Sequence, residues 1–313
     1  MRALLVVNPK ATTTTQRGRE VIARALASEL KVEVVQTGYR GHAAALALRA
    51  ARDGVDLVVA LGGDGTVNEV VNGLLTDGPG PRTPALAVVP GGSTNVFSRA
   101  LGQSQNLVEA TGDILATLRA AADSDGPVGR VIGLGKAGSR WFTFTAGLGL
   151  DAEVVHRMER RRRAGRPTSH LRYVRATLSQ FYFHTDRRQP ALTLELPGEE
   201  PATGLFLAIV SNTTPWTFLN KRPIRPSPEA SFDTGLDLFS LRRMRTLTMF
   251  RHARQMLRRR PRLRGRHLVT LHDLSSFSLR SDRPLGFQVD GDYLGEREQV
   301  TFDAVPAALR VVI

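Results

Sequence analysis

The sequence has 313 residues, which is enough for about two domains of ~150 residues each. With 42% hydrophobic and 23% charged residues, its composition is that of a globular protein and excludes disordered, fibrous and disulfide-scaffold classes. It contains no cysteine, which excludes disulfides, Cys-ligated metals and a thiol nucleophile and fits a cytoplasmic protein. The uncharged stretch 83–98 is interrupted by proline and glycine, so we expect no transmembrane helix.

The net charge of +14 is concentrated in two segments. Residues 157–175 contain eight arginines and one acid, and residues 242–266 contain eleven arginines and no acid. The remainder of the chain is net negative. Such patches favour an anionic partner, a phospholipid membrane or a nucleic acid, and a solvated basic face is the alternative.

The first 126 residues alternate short apolar runs with amphipathic stretches, a pattern typical of βαβ units. Strands are predicted at 3–7, 32–36, 57–61 and 85–89, and helices at 17–30, 42–52, 67–75 and 107–122. Because the strands are apolar along their whole length, we expect a parallel sheet covered on both faces. Ligands of such sheets bind at the carboxyl ends of the strands, so the loops there form the candidate site.

A small, polar, turn-rich segment at 121–127 ends this part, and we place the domain boundary after residue 126. Residues 127–313 are predicted to form an antiparallel β-sandwich. Its strands are expected at 128–134, 140–146, 191–196, 204–210, 236–241, 267–271, 275–281, 285–289, 299–304 and 308–313.

Two helices are expected to interrupt the sandwich, one within 152–184 and one within 241–260. In the second, apolar residues recur every three or four positions, including Leu247 and Phe250, opposite an arginine face. We expect its apolar face to pack on the sandwich, with membrane contact as the alternative reading.

The most specific motif is the loop after the third predicted strand, Gly62-Gly-Asp-Gly-Thr66. Gly62, Gly63 and Gly65 allow close approach of a phosphate, and the following helix offers free N–H groups and its positive dipole end. Asp64 beside phosphates implies an intervening Mg²⁺. Thr66 can bond a phosphate oxygen, or it can cap the helix in a purely structural turn.

A second glycine-rich loop follows the fourth predicted strand and enters another helix. Gly92 can offer its backbone N–H, and Ser93 and Asn95 can present hydroxyl and amide groups, to phosphate or ribose. Asn8-Pro9 and Thr37 stand at the ends of the first two strands. These loops at neighbouring strand ends predict one cleft.

Taken together, these segments resemble the diacylglycerol/sphingosine lipid kinase family, in particular its bacterial diacylglycerol kinase-like members. The Gly62–Thr66 motif is shared with NAD kinases and phosphofructokinases, and the Asn68-Glu69 extension favours the lipid kinases. The resemblance extends to Asp233-Thr-Gly-Leu-Asp237 and Val289-Asp-Gly-Asp292. It implies a three-layer α/β nucleotide-binding domain of the NAD kinase/phosphofructokinase type, followed by the β-sandwich domain that forms the lipid site.

The resemblance also implies which residues serve ATP and Mg²⁺. The residues expected at ATP are Asn8, Pro9, Thr37, Gly62, Gly63, Asp64, Gly65, Thr66, Asn68, Glu69, Gly92, Ser93 and Asn95. Asp64 is implied as a ligand of the Mg²⁺ that accompanies ATP. In addition, a structural Mg²⁺ site is implied at Asp233, Thr234 and Leu236, although Thr234 stands where the family often has an acid.

A carboxylate is also needed to accept the proton of an attacking lipid hydroxyl. Asp290 and Asp292 follow a predicted strand, and either of them is a candidate for this base. A plain turn between strands is the alternative, because Asp-Gly is common there.

We therefore predict an ATP- and Mg²⁺-dependent lipid kinase of phospholipid biosynthesis that acts on diacylglycerol or a related lipid. It is expected to be cytoplasmic and peripherally associated with the inner face of the membrane, with no nucleic-acid partner. An NAD kinase and a non-catalytic nucleotide-binding regulatory protein are the alternatives, and the acceptor lipid and a homodimer stay open.

Overall fold

The computed structural model describes residues 1–11, 14–123, 128–163, 179, 188–220 and 222–313. The chain divides into two compact units. The first unit comprises Met1–Leu134 together with Pro306–Ile313, and the second comprises Gly135–Val305.

The first unit contains a parallel sheet whose strands alternate with helices. Its strands are β1 (Arg2–Val7), β2 (Lys31–Gln36), β3 (Leu57–Gly62) and β4 (Ala85–Pro90). Its helices are α1 (Gln16–Ala27), α2 (His42–Arg52), α3 (Asp64–Leu74), α4 (Val96–Ala100) and α5 (Leu107–Ala122). The strands pair in parallel in the order β4-β3-β1-β2, which confirms the predicted βαβ arrangement.

Apolar side chains cover both faces of this sheet, because β3 and β4 are buried along their whole length. On one face, Leu5, Val59 and Ala87 pack with Ile22 of α1 and Ile114 of α5. Helices α2 and α3 contact each other and the strands β1 and β3. The result is the predicted three-layer α/β fold, with β2 as a more exposed edge strand.

The second unit is rich in antiparallel strands. Strand β5 (Arg130–Ala137) enters it from the first unit, and β16 (Asp292–Val312) leaves it. Between them lie β6 (Arg140–Phe142), β7 (Thr145–Leu148), β8 (Leu192–Glu195), β9 (Ala202–Leu205), β10 (Ala208–Ser211), β11 (Thr217–Leu219), β12 (Arg222–Ile224), β13 (Leu236–Leu241), β14 (Leu268–Leu274) and β15 (Ser276–Val289). Its described helices are α6 (Leu150–Arg163) and α7 (Thr246–Met256).

The long strand β15 joins two parts of this β-structure around one core. Its first half pairs with β8 and its second half with β7, and β7 continues the sheet through β10, β13 and β14. Phe142, Phe277, Phe287 and Phe302 meet in the enclosed core. The predicted antiparallel sandwich is confirmed.

Several predicted element boundaries differ from those in the structure. The strands predicted at 275–281 and 285–289 form the single strand β15, because a register shift between Arg280 and Leu285 carries the chain past Pro284. Likewise, the two strands predicted at 299–304 and 308–313 are parts of β16. The helix predicted within 152–184 begins at Leu150, and much of 164–187 lies outside the described residues.

The C-terminal strand returns to the first unit. Its residues Val311 and Val312 pair in parallel with Leu86 and Ala87 of β4, and both are buried. The sequence predicts this segment as part of a second domain covering 127–313, whereas the first unit in the structure runs to Leu134 and includes Pro306–Ile313. The physical reason is that an apolar strand of this kind satisfies the open edge of β4.

The orientation of α7 differs from the expectation. Met249, His252 and Met256 of this helix face the second unit's core, and His252 and Met256 are buried there. Leu247 and Phe250, expected to pack on the sandwich, are exposed instead. Within the described residues, no helix is both long and apolar enough to cross a bilayer.

Candidate active site

The loops after β1, β3 and β4 are hydrogen-bonded to one another at the carboxyl edge of the first unit's sheet. The Asn8 backbone N–H donates to the Leu61 carbonyl at 3.0 Å, and the Asn8 side-chain amide donates to the Thr66 hydroxyl at 2.9 Å. The Gly91 N–H donates to the Gly62 carbonyl at 2.8 Å. The structure therefore brings the predicted loops together.

The glycines of the two loops are required by the packing of one backbone against the other. A Cβ on Gly92 would lie 2.6 Å from the Gly63 Cα, and a Cβ on Gly91 would lie 3.2 Å from the Gly62 Cα. A Cβ on Gly62 would meet the Thr66 hydroxyl at 2.6 Å. These glycines are therefore needed for the contact between the two loops, in addition to the close approach of a phosphate that the sequence predicts.

The side chain of Asp64 connects the two loops. Its two oxygens accept hydrogen bonds from the backbone N–H groups of Val96 at 3.0 Å and Phe97 at 3.1 Å. These donors are the first amides of α4, which have no partner within that helix. Asp64 thus acts as a cap for a neighbouring helix, a role that no pattern within its own loop indicates.

Other residues of the predicted ATP set are also used within the protein. Glu69 accepts hydrogen bonds from the N–H groups of Gly41 at 2.9 Å and Ala43 at 3.2 Å, at the start of α2. Asn68 is fully buried. Asn95 closes its own loop, accepting from the Gly92 N–H at 2.9 Å and donating to the Gly92 carbonyl at 2.8 Å. These side chains hold the loops in shape.

The remaining predicted ATP residues line the edge of the sheet. Ser93 is exposed at the tip of its loop, and Pro9, Thr37, Gly63 and Gly65 are half-buried. The backbone N–H of Thr37 donates to the Val7 carbonyl at 2.9 Å, which places the loop after β2 beside the end of β1.

An aromatic pair in the loop after β2 was not singled out by the sequence analysis. The rings of Tyr39 and His42 stack with centroids 4.6 Å apart and planes 2° apart. His42 Nδ1 accepts a hydrogen bond from the Gly38 N–H at 3.0 Å, which fixes the imidazole, and Tyr39 is 68% exposed. The signal that could have found the pair is an aromatic residue directly after a strand, at the binding edge of the sheet.

In the second unit, Asp290 and Gly291 form the two-residue turn between β15 and β16. Both have positive φ, 47° and 80°, as a type I′ hairpin requires. The buried carboxylate of Asp290 accepts hydrogen bonds from the Thr143 N–H and hydroxyl, the Phe144 N–H and the Thr145 N–H, at 2.7–3.0 Å. The Asp290 carboxylate therefore holds the turn, and the choice of base between Asp290 and Asp292 stays a prediction. Asp292, at the start of β16, is partly exposed.

A buried carboxylate supports this turn from α6. The side-chain amide of Gln288 donates from Nε2 to Asp151 Oδ2 at 2.7 Å, and its Oε1 accepts from the Gly291 N–H at 2.9 Å. Burial raises the pKa of Asp151 to about 6, an effect only partly offset by the hydrogen bond from Gln288. Asp151 thus connects the first turn of α6 to the hairpin that carries Asp292.

The residues implied for a structural Mg²⁺ are not gathered around one point by their side chains. Asp233 is exposed, the Thr234 hydroxyl donates to the Ser231 carbonyl at 3.1 Å, and Leu236 is buried in β13. Across the described ranges, no group of three or more His, Asp or Glu side chains is close enough to hold a metal ion. The structural metal site stays a prediction.

Comparisons with known proteins agree with this fold. Residues 2–124 match the diacylglycerol kinase catalytic domain family. A Bacillus subtilis (strain 168) diacylglycerol kinase is 37% identical over 164 residues, which are 50% of this chain and 48% of that protein. The match thus spans about half the length of this relative.

Two solved structures share the fold across nearly the whole chain. A diacylglycerol kinase from Bacillus anthracis str. Sterne has a TM-score of 0.72 at 19% identity, with 99% of this chain and 96% of that chain covered. An NAD kinase from Archaeoglobus fulgidus in complex with ATP has a TM-score of 0.50 at 12% identity, with 99% and 93% covered. These two likenesses show the fold. The match of residues 2–124 to the diacylglycerol kinase catalytic domain family confirms the resemblance inferred from the sequence.

We expect Asp290→Asn and Asp292→Asn to differ in stability. In Asp290→Asn an –NH₂ group replaces one of the two carboxylate oxygens that together accept four hydrogen bonds. This change should lower the free energy of unfolding by about 2–4 kcal/mol. The second variant changes a partly exposed carboxylate and should destabilise the protein less than the first. Chemical denaturation measures both, and equal stabilities would contradict the assigned role of Asp290.

The raised pKa of Asp151 predicts a pH dependence. Between pH 4 and pH 7 the folded state holds this proton up to about pH 6, whereas the unfolded chain releases it near pH 3.8. The stability of wild type should therefore fall, relative to Asp151→Asn, by about 2 kcal/mol as the pH rises across this window. Denaturation curves at several pH values measure the difference, with Asp113→Asn on the exposed face of α5 as the control; parallel curves for wild type and Asp151→Asn would refute it.

Proposed function

We propose that the protein transfers the γ-phosphoryl group of ATP to the hydroxyl of diacylglycerol or a related lipid. The observation that carries this proposal is the hydrogen-bonded convergence of the two glycine-rich loops in a domain of the diacylglycerol kinase catalytic family. The relatives that match the chain are named diacylglycerol kinases, which supports a lipid acceptor.

The start of α3 is the proposed binding site for the ATP phosphates. This 11-residue helix begins at Asp64, and its first amides and positive dipole end suit an anion. Asn8 and Thr66 lie together beside it, and the exposed Ser93 adds a hydroxyl from the second loop. The exposed ring of Tyr39, supported by His42, offers a flat surface at the same edge of the sheet for the adenine base.

The donor set fits an Mg²⁺ ion that arrives with the nucleotide. The Asp64 carboxylate accepts backbone hydrogen bonds from the second loop, and Mg²⁺ is commonly held by one or two carboxylates together with substrate phosphates. When bound, the ion would neutralise charge that develops on the phosphoryl oxygens. Asp64 would hold it while keeping the second loop in place.

Asp292 is the proposed general base. It is ionisable, partly exposed and carried on a hairpin whose turn is fixed by Asp290 and by the Asp151–Gln288 hydrogen bond. A carboxylate within hydrogen-bond reach of the acceptor hydroxyl takes its proton as the O–P bond forms. In the same step the acceptor oxygen attacks the γ-phosphorus, the bond to the β-phosphate oxygen breaks, and ADP leaves.

The acceptor is a bilayer lipid, so the proposed enzyme works at a membrane surface. The arginine-rich segment 242–266 supports an anionic membrane as this partner. Peripheral association would give the protein access to its substrate without a spanning helix.

The activity is tested by measuring ATP consumption with diacylglycerol, phosphatidylglycerol, sphingosine, ceramide and NAD as acceptors. We expect turnover with a lipid, and in Asp292→Asn a loss of kcat of at least about 100-fold with ATP affinity unchanged, because the base acts only in the chemical step. Glu298→Gln, an exposed change on the same strand, is the control and should retain kcat. Turnover with NAD alone would identify an NAD kinase, and ATP binding without turnover a non-catalytic protein; either would refute the proposal.

A further inference from the structure

The helix α7 presents an unusual outer surface. Its inner side is anchored in the second unit, where Met256 packs in one cluster with Phe239 and Leu241, and the rings of Phe239 and His252 lie edge to face at 6.4 Å. This anchoring fixes which residues point outward.

The outward residues combine two large apolar side chains with arginines. Leu247 is 84% exposed and Phe250 is 59% exposed, and Arg251, Arg254 and Arg258 are exposed as well. Relative to Leu247, Phe250, Arg251 and Arg254 stand at i+3, i+4 and i+7, which places them on one side of the helix. Arg258 follows just beyond the end of the helix and lines one groove together with Arg251 and Arg254. We call these five residues the outer stripe.

Positive charge surrounds the outer stripe. The segment 242–266 contains eleven arginines and no Asp or Glu. A groove of about 360 Å³ is lined by Arg251, Arg254, Gln255 and Arg258. A second groove of about 220 Å³ adjoins it and includes Leu247, Arg251 and Arg266 in its lining. Grooves of this size and charge suit phosphate groups.

We propose that the outer stripe docks the protein on the surface of an anionic phospholipid bilayer. Leu247 and Phe250 enter the boundary between headgroups and acyl chains, while Arg251, Arg254 and Arg258 contact lipid phosphates. Amphipathic helices that lie in this boundary use the same pairing of Leu or Phe with basic side chains. The inference rests on the proposed function for its biological purpose, and its physical basis is the stripe itself.

Charge complementarity selects this occupant over the alternatives. A second copy of the chain would bring arginines against arginines, which is repulsive. A nucleic acid would neutralise the arginines but would leave Leu247 and Phe250 without a role. A bilayer surface buries the apolar pair and neutralises the cations together.

The experiment measures co-sedimentation with vesicles of phosphatidylcholine alone and of phosphatidylcholine mixed with phosphatidylglycerol, at low and high salt, without ATP. We expect wild type to bind the mixed vesicles and to bind less as salt rises, because exposed charges are screened over ~8 Å at physiological ionic strength. Arg251→Gln/Arg254→Gln/Arg258→Gln should weaken binding by roughly 100-fold at low salt. Leu247→Ser/Phe250→Ser should weaken it at least about tenfold at both salt concentrations.

Matched controls lie in the first unit. Arg17→Gln/Arg24→Gln/Arg82→Gln makes the same change in net charge at exposed positions, and Val108→Ser removes an apolar side chain that is 66% exposed. Both controls should bind the mixed vesicles as wild type does. Because every substituted side chain in the outer stripe is exposed, all variants should unfold at the same denaturant concentration as wild type.

The inference is overturned if the outer-stripe variants bind like the controls, or if wild type binds phosphatidylcholine alone as well as the mixed vesicles. It is also overturned if the arginine variant loses binding while Leu247→Ser/Phe250→Ser does not, since the surface would then be purely electrostatic. Turnover of a short-chain diacylglycerol in solution separates the two proposals. Vesicle binding without turnover would refute only the kinase activity, and turnover without vesicle binding would refute only the docking surface.

Discussion

The close approach of two backbones organises the candidate site in the first unit. Gly62 and Gly63 after β3 pack against Gly91 and Gly92 after β4, so closely that a methyl group on Gly92 would meet the Gly63 Cα at 2.6 Å. Asp64 then reaches across to the first amides of α4. The contact sets the shape of both loops, and the loops in turn fix the position of the start of α3, where we propose that the ATP phosphates bind.

The residues of the glycine-rich motifs have two roles to consider, contact with a ligand and stabilisation of the loops themselves. Asp64, Glu69 and Asn95 belong to the residues expected at ATP, yet each makes hydrogen bonds that shape the loops. A glycine-rich motif therefore encodes a loop architecture as well as a set of ligand contacts. The β15–β16 hairpin shows a similar division, because Asp290 holds the turn, and Asp292, which we propose as the base, is partly exposed beside it.

Much of the fold could be predicted from the sequence, because its signals are local. Buried parallel strands such as β3 and β4 are continuous apolar runs, and the helices between them are amphipathic. The long strands β15 and β16 could not be delimited, since Pro284 and Pro306 indicate breaks, whereas both strands continue through these prolines, β15 with a register shift between Arg280 and Leu285. Pairing of the last strand with β4 depends on contacts far apart in sequence.

The roles of individual side chains could not be predicted either, because they depend on contacts made in the tertiary structure. Sequence reasoning treated Asp290 and Asp292 alike, because their difference lies in the donors of Thr143 and its neighbours. It also expected the periodic apolar residues of α7 to face the core. The structure instead buries His252 and Met256 and exposes Leu247 and Phe250, because Met244 and Leu241 before the helix already fill the core beside it.

The central claim is that the packed glycine loops form the binding site for the ATP phosphates. It is tested most directly by titrating ATP into wild type, Gly92→Ala and Gly112→Ala by calorimetry. A Cβ at Gly92 forces the loops apart, whereas one at Gly112 on α5 meets nothing within 4 Å. The account predicts ATP binding at least about tenfold weaker in Gly92→Ala and unchanged in Gly112→Ala. ATP affinity in Gly92→Ala equal to that of wild type, or no ATP binding by wild type, would contradict it.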